Sequence, residues 1–441
     1  MLSDPLRLRR CRAGRALGFL ALAVSSASSA GVAEDGPGAA ADWPRFRGPG
    51  GLGVAPVDPE AVPFDRKAKR GVLWEAAVPR LGESSPIVWG DAVILTGGDR
   101  EAREVYAYDA RTGKLLWRRA VERPAPSASP ASSAPGGGRA SGEEEKILYA
   151  AATPATDGRA VYAIFGTGDL AALDFEGRPL WTRHLGRPEN DYGHASSLEL
   201  WRGILLVQLD QAAAKDGKSR LLGLEAASGC TLWEARRDVG ASWSSPIAFE
   251  AAGREQVIAA GDPWVSAYDP KGGAELWRAK CLGGEVVPSP ILASGLVIAC
   301  SADGTLAAIR PDGTRDVTET HVAWASEEDL PEIASPVSAG GLLYTLTTGG
   351  VLACTELASG RRLWDHDLET SFQASPTVAG GSLYLLSDSG EMIRARAARA
   401  LEILGRSSLG EPCQASPAFS GRRAFVRTRR HLVALGREGS P

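Results

Sequence analysis

The sequence predicts an all-β chain folded as an eight-bladed β-propeller, its ring closed by the N-terminal strand. Three observations carry that expectation. A Ser-Pro step stands at Ser85, Ser245, Ser289, Ser335, Ser375 and Ser416, with variants at Thr153-Pro154 and Ser196-Ser197; later marks recur every roughly 40 to 50 residues, the length of a four-stranded blade. A Trp after a turn and an apolar residue recurs in step with it, as in Thr112-Gly113-Lys114-Leu115-Leu116-Trp117. The composition also fits, because 52 Gly and 28 Pro supply turns, while 12 Trp against 2 Met favour rigid anchors at fixed positions over adaptable filler.

Taken in chain order, residues 1–30 read as a secretory signal peptide. Arg7, Arg9, Arg10, Arg12 and Arg15 precede the apolar run 16–24, and Ser28 and Ala30 suit cleavage near Ala30. That run is too short to span a bilayer, which takes about 20 residues, and no later stretch is apolar enough. Cys11 lies before the run, where a lipid-anchoring Cys is not expected. Residues 31–42 form a flexible leader, and 43–50 (Trp-Pro-Arg-Phe-Arg-Gly-Pro-Gly) are expected to lie across the ring as an irregular segment. Residues 43–436 then make one eight-bladed domain, with a 437–441 tail.

Each unit divides into four short β-rich runs. From Ser289 they are 290–292, 296–300, 305–309 and a run near Trp324, separated by turns such as Asp303-Gly304 and Asp312-Gly313. Pro suits the first place of a strand, where its missing N–H costs no ladder bond. The insertion at about 124–146 is rich in Pro, Gly, Ser and Glu and reads as disordered. The eighth unit stops before a Trp run, whereas Trp74 has a Trp run and no Ser-Pro step before it, so the two are expected to complete one blade. Trp74, Trp117, Trp181, Trp233, Trp277, Trp324 and Trp364 are read as blade-docking residues, and the Ser375 unit has Ile403-Leu404 in that place.

A net charge of -4 gives no electrostatic footprint for nucleic acid. The five Cys beyond the leader include no Cys-x-x-Cys or adjacent pair, and the five His show no zinc-site spacing. Nucleophile-elbow and phosphate-loop motifs are absent. The candidate ligand or partner residues are Glu83, His194, Gln373 and Gln414, each two places before a Ser-Pro mark or its equivalent, together with Trp243. They are expected to crowd one rim of the central channel. His194 and Asp210 are read as polar blade residues rather than a general base and its orienting carboxylate, because no nucleophile stands near them.

The blade motif, clearest in Ala107-Tyr108-Asp109-Ala110-Arg111-Thr112-Gly113-Lys114-Leu115-Leu116-Trp117 and in 267–277, resembles the pyrroloquinoline-quinone (PQQ)-like repeat over roughly residues 43–436. That family holds the quinoprotein alcohol dehydrogenases and the BamB-like exported propellers. In the dehydrogenases the resemblance implies a quinone stacked between a Trp and a disulfide of adjacent Cys, with calcium held by Glu, Asn and Asp. This chain has no adjacent Cys pair. The leading expectation is therefore a non-enzymatic, BamB-like scaffold in the periplasm, monomeric, without cofactor or transmembrane segment, engaging a protein partner in the cell envelope. The alternatives are a PQQ- and calcium-dependent oxidoreductase, and a glycan-binding propeller using Trp243 or Trp264.

Overall fold

The computed structural model describes residues 42–57, 64–66, 68–123 and 147–437. These residues form eight sheets set as the blades of a propeller, with a single four-residue α-helix. Blade 1 is an antiparallel meander of Ile87–Trp89, Ala92–Gly98, Arg103–Asp109 and Leu115–Ala120. Blades 2 to 7 repeat it over 155–184, 199–236, 247–280, 291–326, 337–367 and 377–408. The second and third strands of the blades are largely buried because neighbouring blades cover both faces, so strands such as Ala92–Gly98, Val161–Ile164, Asp169–Leu173 and Leu342–Leu346 are mostly apolar rather than alternating polar and apolar. The fourth strands lie on the circumference, and that of blade 1 is largely exposed.

Blade 8 closes the ring as expected. Its first three strands are Ala418–Ser420, Arg423–Arg427 and His431–Leu435, and its fourth is Val72–Ala77, with Trp74 opposite Ala434. The two ends of the ring thus share one ladder, which leaves no open seam between first and last blade.

Trp docking follows one geometry at five places. The indole Nε1 of Trp74, Trp117, Trp181, Trp233 and Trp324 donates to the backbone oxygen of Ala110, Phe175, Ala226, Pro270 and Leu357 in the next blade, at 2.7–3.0 Å. The ring then lies on the glycine of that blade's last turn. At Gly113 (φ +71°) an added Cβ would sit 2.5 Å from the Trp74 ring, so both the left-handed backbone and the space demand glycine. Trp277 and Trp364 depart from the pattern. Trp277 donates to Gln256 Oε1, and Gln256 Nε2 donates to Pro311 O of blade 5, so a side-chain amide relays the bond. Trp364 Nε1 has no partner among the described residues, and the last turn of blade 7, residues 397–402, contains no glycine for the ring to lie on.

The Ser-Pro marks have a physical cause that the sequence does not display. Around the axis, the backbone N–H at each mark donates to the hydroxyl at the mark of the next blade: Ser85 to Thr153, then Ser197, Ser245, Ser289, Ser335, Ser375 and Ser416, which donates back to Ser85. All eight bonds measure 2.8–3.0 Å. A hydroxyl on a short stem is what lets each blade satisfy its neighbour's buried N–H, an unpaired one costing roughly 1–3 kcal/mol.

Two sheets are longer than the repeat predicts. Arg315–Asp316 pairs in parallel with the outer edge of blade 4 at Trp277 and Arg278, followed by a short helix, Thr318–His321. Val54–Ala55 pairs in parallel with the inner edge of blade 7 at Val378 and Ala379. The expected signal peptide, the leader apart from Asp42, the 124–146 insertion and the tail apart from Arg437 lie outside the described residues. Among the described residues no helix is long and apolar enough to cross a membrane.

Candidate functional site

The irregular segment 42–57 crosses one end of the ring and touches its blades in turn. Asp42 accepts the Gly90 N–H, Trp43 pairs with Val88 of blade 1 and packs edge-on against Phe419 of blade 8, and Pro44 O accepts the Thr156 N–H of blade 2. Arg45 is fully buried, forms an ion pair with Glu199 of blade 3 and donates to Pro246 O of blade 4 at 3.0 Å. Glu199 is satisfied further by the N–H groups of Leu200 and Ala248. Arg47, also buried, donates to Pro336 O of blade 6. Burial pushes both guanidinium groups down, to about 9. Every ring contact of the segment falls just after a mark, on the strand side of the hydroxyl belt.

On the other side of the belt the axis opens into a cavity of about 730 Å³, a size that suits a compact ligand. All eight belt residues line it, and Phe46 of the crossing segment reaches it from below. The chain enters each mark extended, so alternate residues face the axis. The residues two places before the belt accordingly form a second ring: Glu83, Ala151, Ala195, Trp243, Val287, Ile333, Gln373 and Gln414, all in the lining. Four of the five candidate residues therefore meet in one cup.

His194 does not. The belt member of blade 3 is Ser197, not Ser196, so the inward place two before it is Ala195, and His194 turns into the blade. There it is buried, with Nε2 donating to Ser196 O at 3.0 Å. Burial pushes the imidazole down to about 4. Asp210 is bound by Arg237, Ser242 and Gln208, and no bond joins it to His194. The folded state keeps His194 neutral while the unfolded chain takes up a proton near the ordinary value, so stability is full at neutral pH and falls as pH drops from about 6.5 towards 4. At about 1.4 kcal/mol per unit, the loss approaches about 3 kcal/mol. Urea unfolding at pH 7.5 and 4.5 should show a smaller acid loss for His194→Gln than for the parent chain; equal losses would refute the buried neutral state.

Sequence reasoning missed most of the charge in the cup. Glu285, Asp303 and Glu332 join Glu83 in the lining, and the lining contains no Lys, Arg or His. None of these four makes an ion pair with a described residue. Burial raises the Glu83 carboxyl, an effect partly offset by Arg427. Trp243 stands edge-on to Tyr192, ring centres 5.3 Å apart, and both line the cup. The Trp243 indole is nine-tenths buried and its Nε1 has no partner among the described residues. Trp264 lies elsewhere, stacked beneath Arg278 at 4.3 Å, and is not in the lining. No group of three or more His, Cys, Asp or Glu among the described residues is placed to hold a metal ion. Cys281, Cys300, Cys354 and Cys413 are free thiols.

Comparison with known proteins gives one family. The family model described as outer membrane protein assembly factor BamB matches residues 57–195, 217–335 and 316–403. The outer membrane protein assembly factor BamB of Alkalilimnicola ehrlichii is 28% identical over 230 residues, covering 52% of this chain and 51% of that protein. The chain spans about half the length of several curated relatives it matches. Among solved structures, BamB from Moraxella catarrhalis aligns with a TM-score of 0.61 and 15% identity over 84% of this chain and 98% of that one. A europium-containing methanol dehydrogenase aligns at 0.66 with 11% identity, over 88% and 89%. Identities this low speak for the fold alone, which dehydrogenase and assembly factor share.

Proposed function

The chain belongs to the family of outer membrane protein assembly factor BamB, and on that premise we propose that it is an exported, non-enzymatic scaffold that holds a protein partner in the cell envelope. The match to that family along most of the ring is the observation that carries this reading. The basic, apolar and small-residue order of residues 1–30 supports export to the periplasm.

The chemistry of the cup favours a scaffold over a quinone enzyme. A quinone bearing carboxylates would enter a lining of Glu83, Glu285, Asp303 and Glu332 with no cation to receive it, and like charges in a confined site repel. The described residues also offer no cluster that would hold calcium against such a quinone.

The test is capture in the envelope. A tagged chain, cross-linked in cells and purified from the envelope fraction, is expected to bring down an outer-membrane assembly protein. Failure to capture one, with dye-linked alcohol oxidation on adding pyrroloquinoline quinone and calcium, would overturn the scaffold reading in favour of an oxidoreductase.

A further inference from the structure

We propose that the cup receives an extended basic segment of the protein partner, seating a Lys or Arg side chain between the Trp243 wall and the carboxylates of blades 5 and 6. The proposal rests on the scaffold reading for the partner being a protein; the chemistry of the seat is argued from the cup.

Charge is the first argument. Glu285, Asp303 and Glu332 are exposed at the mouth and carry no ion pair with a described residue; Glu332 accepts the Thr348 N–H at 2.7 Å, and no internal cation competes with a visiting one. The second ring is the next argument, because it is not uniform. On blades 4 to 6 it offers Trp243, Val287 and Ile333; on blades 7, 8 and 1 it offers Gln373, Gln414 and Glu83; blades 2 and 3 contribute only Ala151 and Ala195, which leave room. An aliphatic stem ending in a cation matches that layout, with its methylenes along the apolar wall and its charge towards the carboxylates. The Trp243 and Tyr192 rings add faces that attract a cation.

The rest of the lining narrows the choice of visitor. Trp243 Nε1 is buried, so the indole offers a visitor its ring and not its N–H, while Gln373 and Gln414 in the lining can both donate to and accept from a backbone. A neutral sugar would leave the carboxylates uncompensated; a bare metal ion would not find three clustered ligands among the described residues.

The test uses the full chain and a fluorescein-labelled tetra-arginine peptide, followed by anisotropy, with tetra-glutamate as its counterpart. Tetra-arginine should bind, weaken with added salt, and lose about tenfold in affinity or more in the triple variant Glu285→Gln, Asp303→Asn, Glu332→Gln. Trp243→Phe, which keeps a ring and loses the N–H, should weaken binding by less. A control triple on the turns of the opposite face, Glu176→Gln, Glu225→Gln, Glu250→Gln, should bind like the parent chain. Equal binding of both peptides, or equal loss in the two triples, would overturn the proposal. Envelope capture separates the two readings. If the cup triple loses the peptide yet still captures the partner, the seat is wrong and the scaffold reading stands; if the parent chain binds the peptide through the cup but captures no partner, the scaffold reading falls and the seat stands.

Discussion

Arg45→Ala is expected to lower the unfolding free energy by roughly 3–5 kcal/mol, the usual loss when one member of a buried ion pair is removed. The guanidinium is fully buried between Glu199 and Pro246 O, and Glu199 is itself buried with its oxygens committed to Arg45, Leu200 N–H and Ala248 N–H. Truncation leaves a carboxylate that the surroundings cannot hydrate. Urea denaturation of Arg45→Ala, Glu199→Ala and the double variant gives the coupling directly. The double variant should lose less than the sum of the singles; additive losses would show that the pair is not an energetic unit.

Trp74→Ala carries the other large effect, roughly 3–5 kcal/mol from the lost ring and the cavity left behind. Trp74 packs on Gly113, meets Phe425 at a centroid distance of 5.9 Å and donates to Ala110 O. It does so in the blade that joins the two ends of the ring. The matched control is Trp364→Ala, since Trp364 has no partner for its indole N–H among the described residues and is only half-buried. Thermal unfolding should place the Trp74 variant well below the Trp364 variant. Equal melting points would mean that docking onto the next blade adds nothing beyond ring burial.

The fold was legible because each repeated mark answers a recurring need. The Trp of one blade needs a glycine turn in the next, and the belt needs a hydroxyl at one place per unit, so composition and spacing betray both. Less regular features left no periodic trace. The Gln256 relay runs from Trp277 of blade 4 to Pro311 O in the lengthened last turn of blade 5, and the Arg315–Asp316 strand comes from that same turn, where the repeat motif is weak. In the candidate site, the inward parity two places before the mark was readable, and it led to Glu83, Trp243, Gln373 and Gln414. It misled at Ser196-Ser197, where two adjacent serines offered two registers and a one-residue slip turns a side chain to the other face. The same parity extended two places further would have found Glu285. Glu332 and Asp303 come from a loop and a turn outside that alternation, and no sequence signal marks them.

The segment that crosses beneath the belt changes what kind of vessel the ring is. With Phe46 at its base and Arg45 and Arg47 fastened to strand-side carbonyls of blades 4 and 6, the axis is stoppered like a thimble. A chain cannot be threaded through it; whatever visits must back out the way it came. A long partner is therefore gripped by a protruding bend or a free end, and its residence time is governed by contacts at a single doorway.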